Sequence, residues 1–145
     1  MKFPDGSLIK LGDVVWWDDE NAIGSIINIH ETEEECKNVG VEEPGILICF
    51  DGSGIGGLII GYPQRTFVEE GVRRLTPVEQ REVNNVVRAA RSYSSEKLDE
   101  ITTGLFRKKT NNLEFWNVIF YRNRQALRVI EVDPSNLSCR EIEVE

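Results

Sequence analysis

The chain has 145 residues, 40 % apolar and 29 % charged, with 17 Lys and Arg against 25 Asp and Glu and a net charge of -8. A chain of this length buries roughly 70 % of its unfolded surface, so one domain can fold without a disulfide or a metal. The negative balance argues against a generic nucleic-acid binder, which needs positive charge for phosphates, and the longest apolar run (46–50) is far short of the about 20 residues of a membrane helix.

The N-terminus has no apolar h-region. The expectation is a soluble, cytoplasmic protein with no membrane partner and no direct nucleic-acid partner. The first strand is Val14-Val15-Trp16-Trp17, β-branched and aromatic. Adjacent strand residues point to opposite faces, so one of Trp16 and Trp17 enters a core. The other either packs as well or stands exposed beside Asp18, Asp19 and Glu20 in the following turn. A second strand is expected over 23–29, with Ile27 and Ile29 on one face and Ile26 on the other. The stretch 31–44 reads as a long acidic loop. The third strand, 46–50, is apolar throughout and is expected to be buried on both faces. A glycine-rich turn, a fourth strand at 58–60 and a fifth around 72–75 complete a set that suggests a small twisted barrel.

Thr76-Pro77-Val78-Glu79 is a capping box with Pro at the first helical position. It predicts a helix over 77–93, with Val78, Val83, Val86, Val87 and Ala90 in an apolar stripe. Ser95 caps a short second helix over 96–102, with Leu98 and Ile101 inward. The remainder reads as an antiparallel meander: Leu105-Phe106 in a strand before the 110–112 turn, then strands over 115–121, 126–132 and 137–144. Leu127, Ile130 and Val132 are the main apolar positions of the second of these. The fold class expected is therefore α+β and β-rich: an SH3-like small barrel in 1–75, then a capped helix and antiparallel meander in 76–145, packed as one unit.

Catalytic and cofactor signals are weak. Gly52-Ser53-Gly54-Ile55-Gly56-Gly57 matches G-x-G-x-x-G, but the short segment after it leaves no room for the helix a pyrophosphate needs, so it reads as a hairpin loop. His30-Glu31-Thr32-Glu33 begins like a metalloprotease motif but has Glu34 where the second His belongs. Cys36, Cys49 and Cys139 form neither a disulfide framework nor a zinc site. Cys36 and His30 are a conceivable nucleophile pair, but neighbouring carboxylates would raise the thiol pKa. No catalytic residue, metal or cofactor is expected, and the protein is expected not to be an enzyme.

The charge pattern is more informative. Residues 1–75 hold 6 basic and 14 acidic residues, net -8, and 76–145 hold 11 of each. Nine carboxylates fall between positions 18 and 43, against Lys37 alone. The stretch reads either as a solvated loop or as a binding surface; a basic partner or ions would relieve its self-repulsion, and such a surface speeds association with a basic protein. The candidate partner-binding set is Trp17, Asp18, Asp19, Glu20, Glu31, Glu33, Glu34, Glu35, Glu42 and Glu43. Arg65, Arg73, Arg74, Arg81, Arg88 and Arg91 offer a basic flank opposite the acidic loop, but are expected rather to pair with Glu69, Glu70, Glu79 and Glu82.

The segments at 11–15, 23–27 and 46–52 resemble the strand order of SH3-like barrels of the Tudor and KOW kind. Tudor-type barrels bind methylated side chains in an aromatic cage, which here only Trp16, Trp17, Phe50 and Tyr62 could supply. In size, acidity and absent catalytic motif the chain also resembles the small immunity proteins of bacterial polymorphic-toxin and contact-dependent inhibition systems. That resemblance implies a non-catalytic, cytoplasmic inhibitor of a cognate toxin, often a basic nuclease. The alternative is an SH3-like adaptor that recognises a peptide or the ribosome.

Overall fold

The computed structural model describes residues 1–50, 57–94, 102–110, 113–123 and 125–143. The elements run β1 (Val14–Trp17), β2 (Ala22–His30), α1 (Glu33–Val39), β3 (Gly45–Cys49), β4 (Leu58–Gly61), α2 (Pro63–Thr66), β5 (Val72–Arg74), α3 (Pro77–Ser94), β6 (Thr102–Thr110), β7 (Leu113–Arg122), β8 (Gln125–Val132) and β9 (Cys139–Ile142). The architecture is α+β, with an open sheet of nine strands among the described residues.

The sheet divides at β2. On one edge β2 pairs with β1, matching Trp17 to Ala22 and Val14 to Ser25. On its other edge Ala22 and Ile23 pair with β6, and 25–30 pair with β3. One branch is therefore β5-β1-β2-β3-β4, and the other continues from β2 through β6, β7, β8 and β9. Every pairing is antiparallel.

Two cores lie on the two faces of the shared strands. Strand alternation sends Val15 and Trp17 to one core, with Phe3, Ala22, Ile26, Ile46, Ile48, Phe50, Ile60 and Phe67. It sends Val14 and Trp16 to the other, with Ile23, Val83, Val86, Ala90, Leu105, Trp116, Val118, Phe120 and Ile130. Trp16 meets Trp116 edge to face, with ring centroids 6.1 Å apart, the geometry that opposed ring quadrupoles favour. Helix α3 covers the second core, packing on β7, β8 and β9. Its capping box forms as expected: the Thr76 N–H donates to Glu79 Oε1 at 2.9 Å, and the Glu79 N–H donates to Thr76 Oγ1 at 3.2 Å.

Several expectations are corrected. The 31–44 stretch is not all loop, because α1 forms within it. Residue 27 is the extra residue of a β-bulge: Ile26 pairs with Ile48, and Asn28 with Leu47. The bulge breaks the two-residue alternation, so Ile29 packs with the same core as Ile26 while Ile27 is exposed. Strand β3 is buried on one face only: Ile46 and Ile48 are fully buried, whereas Leu47 and Cys49 are partly open. Val78 and Leu127 are exposed rather than in the apolar stripes. The one-turn α2 has no counterpart among the expected elements, and β9 is shorter than the strand expected over 137–144. Residues 95–101, where a second helix was expected, lie outside the described residues, as does the glycine run except Gly57. Beyond that run the chain forms β4, antiparallel to β3, and not a phosphate-binding helix.

Candidate functional site: two acidic ends of one strand

The acidic residues expected to form one surface lie at opposite ends of β2. Asp18, Asp19 and Glu20 form the turn that leads into it, and Glu31 to Glu35 come after its last residue, His30. Eight residue steps of extended chain, roughly 25 Å, separate the ends.

At the first end Trp17 is half-buried, with its ring 4.6 Å from that of Phe50. Trp16 is the more buried indole, and its Nε1–H donates to Asp18 Oδ1 at 2.5 Å. The Asp18 N–H donates to the Gly71 carbonyl at 2.9 Å. Gly71 sits at φ 70°, in the left-handed region glycine tolerates, and a Cβ there would lie 3.9 Å from Asp19 Oδ1. The exposed Glu69 and Glu70 directly precede this glycine in the chain. Sequence reasoning missed both, because it assigned them to arginines. Of the expected pairs the structure shows Arg73 with Glu79, two bonds at 2.8 and 2.7 Å, whereas Arg74 lies 3.9 Å from Asp5. Arg65 stacks on Tyr62 at 4.4 Å. Arg81, Arg88 and Arg91 form no ion pair among the described residues.

At the second end α1 is held by a complete capping box. Thr32 Oγ1 accepts from the Glu35 N–H, and Glu35 Oε1 accepts from the Thr32 N–H, both at 3.1 Å. Those hydrogen bonds hold the Glu35 carboxyl below the usual range. Glu35 is therefore committed to the helix start. Gly40 closes the helix at φ 83°, its N–H donating to the Cys36 and Lys37 carbonyls. Glu33, Glu34 and Glu35 stand in the first turn, where the helix dipole favours negative charge. Part of the self-repulsion read from the sequence is thus offset within the chain. Glu31 accepts from the Met1 ammonium at 3.3 Å. Glu33, Glu34, Glu42 and Glu43 are exposed and have no ion pair among the described residues.

Glu43 lies across β4. A Cβ on Gly61 would come within 2.6 Å of Glu43 Oε2, so the glycine leaves room for that carboxylate. The Tyr62 N–H donates to the Pro44 carbonyl at 2.9 Å, with Tyr62 at φ 49°, an unusual conformation for a bulky residue. Tyr62 and Ile59, which flank this stretch of β4 and its exit, are 40 % and 45 % exposed.

His30 is fully buried, with Nδ1 3.1 Å from Asn28 Oδ1 and Nε2 without a partner among the described residues. Burial pushes its pKa down, against a smaller opposing effect of Glu35. The thiol of Cys36 lies 4.0 Å from the His30 carbonyl oxygen, and both residues are buried. A nucleophile pair would need the thiol at the ring and in reach of solvent. His30 closes a strand, so the helix that a metalloprotease motif needs is absent at this position. Among the described residues no three His, Cys, Asp or Glu side chains are grouped to hold a metal ion. The four aromatics of a conceivable cage do not converge: Trp16 faces the α3 core, Trp17 and Phe50 stack on each other, and Tyr62 lies beside Pro44. No described helix is long and apolar enough to cross a membrane. Comparison with family models, with curated proteins and with solved structures finds no match.

Proposed function

We propose that the protein is a non-catalytic binder of a basic protein domain, an inhibitor of the immunity type that neutralises a cognate toxin, and that it acts from the cytoplasm. The observation that carries this reading is the α1 end of β2. There Glu33, Glu34, Glu42 and Glu43 are exposed without an ion pair among the described residues, and Glu43 lies against Gly61, beside the half-exposed Tyr62 and two residues from the half-exposed Ile59. Apolar anchors within a charged rim are the anatomy of a protein interface. The carboxylates would occupy sites on the partner meant for phosphates. In this proposal the five strands β5-β1-β2-β3-β4 form an SH3-like barrel. Supporting it are their order and the one-turn α2 between β4 and β5. The same strand order favours a second reading, an adaptor that takes a peptide along the β4 edge.

The test is growth rescue and binding with the toxic domain encoded beside the protein. Charge reversal of Glu33, Glu34, Glu42 and Glu43 should abolish rescue and weaken binding by about a hundredfold or more. Reversal of Asp18, Asp19 and Glu20 should leave both nearly unchanged. Rescue that survives the first reversal, or no rescue by the unaltered protein, would sink the inhibitor reading; binding of short peptides alone would favour the adaptor.

A further inference from the structure

Helix α3 carries its positive charge on one face. At about 100° per residue, Arg81, Asn84, Asn85, Arg88 and Ser92 share the exposed arc opposite Val83, Val86 and Ala90, with the half-buried Arg91 at its margin. The three arginines span about 15 Å along the axis and have no ion pair among the described residues. In a chain of net charge -8 this is an uncompensated basic stripe.

A groove of about 430 Å³ runs beside it, between α3 and the 133–138 turn. Val78, 66 % exposed, forms one wall and Leu137, 39 % exposed, the other, with Arg81 and Asn85 at the edge. The turn is fixed from within. The Leu137 N–H donates to the Asp133 carbonyl at 2.7 Å, and Asp133 Oδ1 accepts from the Ser135 N–H at 2.9 Å. This holds Leu137 at φ 60°, a strained conformation for leucine, with its side chain presented at the groove. Glu82 also lines the groove and opposes an anionic ligand there.

We infer that this face of α3 and its groove bind an acidic protein segment carrying an apolar side chain. Carboxylates of the segment pair with Arg81 and Arg88, and the apolar side chain sits between Val78 and Leu137. A phosphate backbone would match the arginines but not the apolar walls. The surface is separate from the α1 end and does not depend on that proposal.

The experiment titrates the full chain with three labelled probes: a short peptide of Glu and interspersed Leu, an all-Glu peptide of equal charge, and a single-stranded oligonucleotide. The Leu-containing peptide should bind best. The double variant R81E/R88E should weaken it about tenfold or more. Leu137→Gly, which relieves the backbone and removes one wall, should weaken only the Leu-containing peptide. Glu82→Gln should tighten both peptides. Three results would overturn the inference: no acidic peptide bound at about 1 mM, preference for the oligonucleotide, or self-association that R81E/R88E abolishes, which would assign the stripe to a second copy.

Discussion

Glu79 accepts from the Thr76 N–H while pairing with both terminal nitrogens of Arg73. The Arg73 hydrogen bonds are the largest cause of its pKa falling from 4.5 to about 2, with the cap bonds adding to it and burial opposing. A carboxyl whose pKa is lower folded than unfolded contributes stability that is complete above about pH 5 and disappears as pH falls toward 2. Arg73 is half-exposed, so solvent screening reduces the gain to about 1–2 kcal/mol. Glu79→Gln should therefore destabilise the protein by about 1–2 kcal/mol near neutral pH in urea unfolding, and the difference from the unaltered chain should shrink by about pH 3. A gap independent of pH would refute this account. At this scale sequence reasoning was uneven. It found the Thr76–Glu79 box, because that motif is local. It put Ile29 on the wrong face, because a bulge at Ile27 is set by pairing with β3.

The same local motif was overlooked in the element that matters most for the proposed site. Thr32 and Glu35 repeat the box of Thr76 and Glu79, and Gly40 supplies the left-handed stop. What hid α1 was its composition: only Cys36 is buried, so no apolar stripe announces the helix. Its stability must come largely from its ends, since a seven-residue helix is marginal on propensity alone. Thr32→Ala should cost about 1 kcal/mol and raise hydrogen exchange across 33–39 while leaving α3 protected. Equal protection in the variant would mean that Cys36 packing, not the cap, holds the helix. Strand positions were mostly legible because alternation and β-branched residues are strong signals; β9 was overextended because its pairing with β8, and not its sequence, ends it.

For the whole molecule, the decisive feature is that β1 and β2 serve two cores. Trp16 and Ile23 belong to the core under α3, while Val15, Ala22 and Ile26 belong to the other. Neither half can lose its packing without stripping a face from these strands. Unfolding followed by tryptophan fluorescence, which samples Trp16 and Trp116 in one core and Trp17 in the other, should coincide with the far-ultraviolet transition. Two separated transitions would show that the halves unfold independently. The sequence showed the charge asymmetry and the adjacent tryptophans. It did not show that β2 would separate the carboxylates, because that depends on strand pairing over long distances in the chain.

The alternation of β1 also constrains what the gene can tolerate. A single codon inserted within 14–17 would swap the destination of every side chain beyond it, sending one indole where the other belongs and leaving both interiors misfilled at once. Two codons would restore the order of faces and shift only the register. Length variation in a lineage carrying this fold should therefore stay out of 14–17, and β1 should keep its length even where its residues drift.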